Sequence, residues 1–88
     1  MKFKNGDIVS VINKGSCYSA YEEWIKTWKN EIPMKYYKLW ENNEKIYDTT
    51  SCFRVLLVKK HLEFDEYLAL IENETGVYII NVDGIEIV

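Results

Sequence analysis

The second half of this 88-residue chain is a series of short apolar runs separated by turn residues, and this pattern constrains the fold most strongly. Three runs are rich in β-branched and aromatic residues and are predicted strands: "CFRVLLVKKH" (52–61), "YLALIE" (67–72) and "VYIINV" (77–82). Gly76 stands where a hairpin loop needs positive φ. Asp83-Gly84 makes the last turn before a short final strand, "IEIV" (85–88).

The first of these strands carries apolar residues on both sides. Strict alternation places Phe53, Val55 and Leu57 on one face. The other face then carries Cys52, Arg54, Leu56 and Val58. The middle of the strand is therefore expected to be buried on both sides, or to bend between two sheets.

An earlier strand is predicted in "GDIVSVI" (6–12), which begins with a Gly-Asp turn. Ile8 alternates with the pair Val9 and Val11, and Ile12 closes the run. Short antiparallel strands joined by tight turns favour a small, partly open five-stranded barrel, because closure protects the strand edges. The final strand is expected to pair beside the first.

The segment between the first two strands is predicted to be helical. Ser19 and Glu22 form a capping box, and apolar residues then follow at 21, 24, 25, 28 and 32 on one helical stripe. Pro33 stops this helix or starts a second short one over 33–41. The fold class is therefore mainly β with an α insertion at about 18–48, in a single domain over 1–88.

Both ends of the chain resemble a known family. "FKNGDIVSVI" matches the F-x-x-G-D-x-V-x-V opening strand of SH3-like and KOW-type small barrels, and "GVYIINVDGIEIV" resembles their last hairpin and final strand. With "CYSAYEEW" after the first strand, the layout is similar to small uncharacterised SH3-like proteins of bacteriophages and mobile elements. The segment 18–50 is much longer than the KOW connection, which argues against a ribosomal or transcription-factor role.

Charge is distributed unevenly along the chain, which has a net charge of −3. Residues 24–40 carry four Lys and one Glu, giving +3, whereas 41–88 carry four basic and ten acidic side chains, giving −6. General nucleic-acid binding is not expected, because phosphate neutralisation supplies most of its affinity. The opening "MKFKNGD" lacks a signal-peptide stretch and the longest apolar run is "VLLV", so a soluble, intracellular protein is expected. The resemblance to phage proteins implies that its compartment is the cytoplasm of the bacterial host.

No catalytic, metal or cofactor site is predicted. His61 is the one histidine and lacks a local nucleophile, so it is interpreted as a solvated loop residue. "HLEFDE" (61–66) lacks zinc and calcium spacings and is interpreted as an acidic turn between strands. Phosphate-binding glycine motifs are absent. Cys17 and Cys52 are interpreted as small half-buried thiols.

The segment "WIKTWKNEIPMKYYKLW" (24–40) holds every tryptophan of the chain. Helical spacing puts Trp24 and Trp28 on the apolar stripe, where they are expected to cap the barrel. The second half supplies the candidate partner site, in which aromatic anchors are rimmed by lysines: Lys35, Tyr36, Tyr37, Lys38 and Trp40. Whether these aromatic residues are core or interface stays open.

The leading functional hypothesis is a small non-enzymatic binding protein. The resemblance implies a phage-encoded protein that sequesters or inhibits a host factor or a small anionic nucleotide, as anti-defence and host-takeover proteins do. A homo-oligomer could form its site between subunits. The alternatives are a KOW-like nucleic-acid accessory module and a structural assembly protein of a virion or operon.

Overall fold

Five antiparallel strands form a single sheet in the computed structural model, which describes residues 3–13, 51–61 and 64–88. In chain order the strands are β1 (Ile8–Val11), β2 (Cys52–Lys60), β3 (Tyr67–Asn73), β4 (Gly76–Asn81) and β5 (Ile85–Ile87). Their spatial order is β4-β3-β2-β1-β5. The mainly β prediction with five strands is confirmed, and the sheet formed by the described strands is not closed. The predicted helical insertion at 18–48 lies outside the described residues.

The first strand occupies an inner position between β2 and β5, so the predicted pairing of the last strand beside the first is confirmed. Antiparallel hydrogen bonds alternate from side to side along a strand. Val55 N–H donates to Asp7 O (2.8 Å), and Val88 N–H donates to Ile8 O (3.1 Å). Odd-numbered residues of β1 therefore bond to β2 and even-numbered residues bond to β5.

The main cluster of buried core residues lies on one face of the sheet, called here the inner face. Its buried members are Phe3, Val9, Val11, Phe53, Val55, Ala69, Ile71, Tyr78, Ile80 and Ile85. The Phe53 and Tyr78 rings meet edge to face, with centroids 5.8 Å apart, a favoured aromatic geometry. Val9 and Val11 are buried while Ile8 and Ile12 are exposed, which confirms the alternation predicted for β1.

A β-bulge in β2 corrects the predicted faces of that strand. Val55 pairs with Ile71, but Leu57 pairs with the next residue, Leu70, so one extra residue is inserted between Val55 and Leu57. The insertion reverses the alternation from that point. Placing Leu57 on the face of Val55 was therefore wrong, and Val58 packs against the inner core instead.

The opposite face of the sheet, called here the outer face, has two different halves. Over β3 and β4 it is apolar and buried, with Leu68, Leu70, Val77 and Ile79 at most 2% exposed. These two strands are thus buried on both faces, which explains their nearly continuous apolar sequences. Over β1, β5 and the first part of β2 the outer face is exposed. The exposed half is where a partner can reach the sheet.

The turn before β1 contains a glycine in a conformation that other residues rarely adopt. Gly6 has φ of 93°, and the turn is closed by Asp7 N–H donating to Lys4 O (3.1 Å) and Lys4 N–H donating to Asp7 Oδ2 (3.0 Å). The predicted Gly-Asp turn is confirmed. Gly76, in the β3–β4 hairpin, also has positive φ, at 149°.

Replacing Gly6 by alanine should destabilise the protein by about 1–2 kcal/mol, because an L-residue pays that cost at positive φ. In the described part of the chain, leaving out the two neighbours of Gly6, no atom lies within 4 Å of the added methyl group, so packing there adds nothing to the cost. Urea unfolding measures the change. Gly6→Asn should lose less free energy of unfolding than Gly6→Ala, since asparagine tolerates positive φ better than alanine does. Equal losses for the two variants would contradict a conformational cause.

Candidate functional site

An open groove of about 490 Å³ lies on the exposed half of the outer face. This outer-face groove is lined by Ile8, Cys52, Phe53, Arg54, Glu72 and Asn73. The sheet register brings these residues together from three strands: Ile8 of β1 is opposite Arg54 of β2, and Arg54 is opposite Glu72 of β3. The groove therefore depends on the strand order as a whole.

The centre of the groove is an ion pair between Arg54 and Glu72, in which the Arg54 guanidinium donates to Glu72 Oε1. The Arg54 side chain is 59% exposed and that of Glu72 is 21% exposed. The guanidinium is a planar fork of N–H donors whose geometry matches a carboxylate group. The pair thus holds Arg54 in place while leaving most of it facing solvent.

This exposed ion pair should contribute little to stability. A double-mutant cycle with Arg54→Ala and Glu72→Ala is expected to give a coupling free energy below about 1 kcal/mol, as for other surface pairs. Thermal or urea unfolding of the four variants measures it, and added salt should reduce it. A coupling well above this value, insensitive to salt, would mean that the pair is a structural element of the sheet.

One end of the groove is fixed by the β3–β4 turn. Asn73 Oδ1 accepts hydrogen bonds from Thr75 N–H (2.8 Å) and Thr75 Oγ1 (2.6 Å), and Thr75 Oγ1 lies 3.1 Å from Tyr78 Oη. Asn73 Nδ2 then donates to Cys52 O on β2 (3.4 Å). This chain of contacts links the turn to the buried Tyr78 ring. It makes the wall of the groove a fixed surface.

Exposed apolar side chains lie at the other end of the groove. Ile8, which lines the groove, is 46% exposed; Val88 lies beside it outside the groove, donates its N–H to Ile8 O, and is 71% exposed. Cys52 is also exposed, so its interpretation as a half-buried thiol was wrong. Cys17 lies outside the described residues. The groove thus combines an aliphatic surface with a charged centre.

The interpretation of His61 as a solvated loop residue was also wrong, because its side chain is only 4% exposed. His61 Nδ1 accepts a hydrogen bond from Phe64 N–H (3.3 Å), and the two rings lie 5.0 Å apart. His61 N–H donates to Glu66 O (2.8 Å), which closes the connection between β2 and β3. His61 therefore anchors this connection, in which Asp65 and Glu66 are described and Leu62 and Glu63 are not.

The site predicted from the sequence cannot be compared with the groove. Its residues, Lys35, Tyr36, Tyr37, Lys38 and Trp40, lie outside the described part of the chain, as do Trp24 and Trp28. These assignments stay predictions. Sequence reasoning missed the groove itself. The sequence feature that could have indicated the groove was Ile8, an apolar residue on the face of β1 opposite to that of Val9 and Val11.

Comparison of the chain with protein-family models, with curated proteins and with solved structures finds no match in any of the three. Within the described ranges, no helix is long and apolar enough to cross a membrane. The same residues contain no group of three or more His, Cys, Asp or Glu side chains placed to hold a metal ion.

Proposed function

We propose that this chain is a small binding protein of SH3-like type, without catalysis of its own, that captures a protein partner on the outer-face groove. The observation that carries the proposal is the juxtaposition of exposed Ile8 with the half-exposed Arg54–Glu72 pair. Protein interfaces combine apolar contact area with polar groups, and arginine is enriched in them.

The charges around the groove favour a protein over a nucleic acid or a free nucleotide. Arg54 is already paired with Glu72. Two further carboxylates are exposed: that of Glu74 in the turn between β3 and β4, and that of Glu86 in β5. Such a surface repels phosphates, whose neutralisation drives nucleic-acid binding. A protein partner can instead pair with both signs of charge and cover Ile8. No observation favours the nucleic-acid or assembly alternatives.

The identity of the partner rests on the resemblance to small SH3-like proteins of bacteriophages and mobile elements. On that basis the partner is a bacterial host factor, and the chain sequesters or inhibits it in the host cytoplasm. The aromatic and lysine residues at 35–40 stay a separate prediction of the partner site from the sequence.

Site-specific photo-cross-linking tests the proposal. A photoreactive benzoylphenylalanine at position 8 should cross-link one host protein, and excess unmodified chain should compete for it. The matched control is position 12, where Ile12 is also exposed but lies about 13 Å further along the chain, at about 3.3 Å per residue. Equal cross-linking from both positions, or none from position 8, would contradict the proposal.

A further inference from the structure

One edge of the sheet is accessible and has its hydrogen-bonding groups directed outward. Ile12 N–H donates to Gly84 O (2.8 Å) and Val88 N–H donates to Ile8 O (3.1 Å). Residues 84, 86 and 88 therefore bond to β1, and the alternation turns the backbone groups of 85 and 87 to the open side of β5. The other edge, β4, is less accessible, because Val77 to Ile80 are all buried.

Ile87 is the residue that an added strand would meet. The neighbouring outward donor, Ile85 N–H, is already bound to Val82 O. Ile87 N–H and C=O have no hydrogen-bond partner among the described residues, and Ile87 is 50% exposed. Edge strands are commonly protected by lysine, proline or a bulge. β5 contains no lysine, proline or bulge, and its protection is limited to its short length of 3 residues and the single charge of Glu86.

The charge next to this edge selects the kind of strand that fits. Asp83 and Glu86 are exposed, and residues 82–88 contain no Lys or Arg. A basic side chain on the incoming strand would pair with Glu86 across the new ladder. A second copy of the chain fits poorly. Two β5 strands could pair antiparallel only through the outward backbone N–H and C=O groups of residues 85 and 87. In every such register the two Glu86 side chains are opposite or diagonal to each other, and their like charges repel.

We propose that the β5 edge receives an extended segment of a partner protein as a sixth, antiparallel strand. The segment has an apolar residue opposite Ile87 and Lys or Arg opposite Glu86. Main-chain hydrogen bonds supply the affinity and the two side-chain positions supply the specificity, as in other cases of strand addition. This edge adjoins the exposed half of the outer face, to which Glu86 also belongs, but its hydrogen-bonding groups are those of Ile87, which does not line the outer-face groove. The inference does not depend on the function proposed for the groove.

The probe is a synthetic peptide, acetyl-Thr-Val-Ile-Lys-Val-Thr-amide, titrated into the isotope-labelled full chain and followed by NMR. In the antiparallel register its Ile is opposite Ile87 and its Lys is opposite Glu86. Saturable shifts are expected at Ile85 to Val88, with slower exchange of the Ile87 amide proton. N-methylation of the peptide Ile should weaken binding at least tenfold, because that N–H faces β5. N-methylation of the Lys, whose N–H faces away, should leave the affinity nearly unchanged.

Substitutions in the protein, instead of in the peptide, test the same pairing register. Ile87→Pro removes the outward N–H together with the isoleucine side chain and should weaken binding at least tenfold, with the fold kept; Ile87→Ala, which keeps the N–H, should weaken it less. Glu86→Lys should abolish binding of the Lys peptide and create binding of the matching Glu peptide. If Ile87→Pro does not fold, the two N-methylated peptides are sufficient to test whether the peptide pairs with β5.

Three results would overturn the inference. The first is the absence of saturable shifts in the millimolar range of peptide. The second is equal weakening by the two N-methyl groups. The third is a concentration-dependent shift of the Ile87 amide without peptide, accompanied by dimers in sedimentation, which would assign the edge to a second copy.

Discussion

Replacing Ile71 by alanine should destabilise the protein by about 2–5 kcal/mol, the range for truncating a buried isoleucine. Ile71 is fully buried on the inner face of β3, between its register partners Val55 and Tyr78. The lost methyl groups leave a cavity that strands held on both sides cannot fill by relaxing. For a domain of this size the loss is a large part of the total stability. Urea unfolding measures it as a lower midpoint.

The matched control is Ile12→Ala, which truncates the same side-chain type at a position 56% exposed. Its expected effect is within about 0.5 kcal/mol, as for most surface substitutions. A similar loss in both variants would mean that the inner face is not the core. A small loss at Ile71 alone would mean that β3 is not held between β2 and β4.

Proline at position 10 should also be destabilising, by more than about 1 kcal/mol, because it replaces a hydrogen-bonded N–H inside a sheet. Ser10 lies in β1 opposite Glu86 of β5, and the alternation of bonds directs its N–H to that strand. Proline removes this bond and places its ring between two strands. Ile87→Pro, by contrast, removes an N–H that faces the open side of an edge strand, so it should cost less than about 1 kcal/mol.

Thermal unfolding of the two proline variants distinguishes an inner strand from an edge strand. The strand order predicts a large loss for Ser10→Pro and a small one for Ile87→Pro. The reverse result would place β5, and not β1, inside the sheet.

Local patterns were sufficient to predict most of the strands. Alternation identified β1 from Val9 and Val11, and turn residues fixed the β3–β4 hairpin at Gly76. The bulge in β2 was not predictable, because Leu56 and Leu57 are both apolar and either could continue the inner face. An extra residue in a ladder becomes visible only when the partner strand is known.

The groove and the buried histidine depend on contacts between distant parts of the chain. Ile8, Arg54 and Glu72 are far apart in sequence and become neighbours only through the strand order. His61 is followed by acidic residues, which is typical of a solvated turn, yet its ring packs against Phe64. The sequence instead drew attention to the aromatic and lysine cluster at 35–40, which lies outside the described residues.

The affinity of groove variants for the cross-linked partner, once purified, tests the central claim most directly. Calorimetric titration should show at least a tenfold loss for Arg54→Ala, equal to about 1.4 kcal/mol. Lys60→Ala removes the same charge from the far end of β2, where Lys60 is paired with Asp65 (3.3 Å), and should bind as the unmodified chain does. Equal affinity for all three proteins would contradict the assignment of the partner site to the outer-face groove.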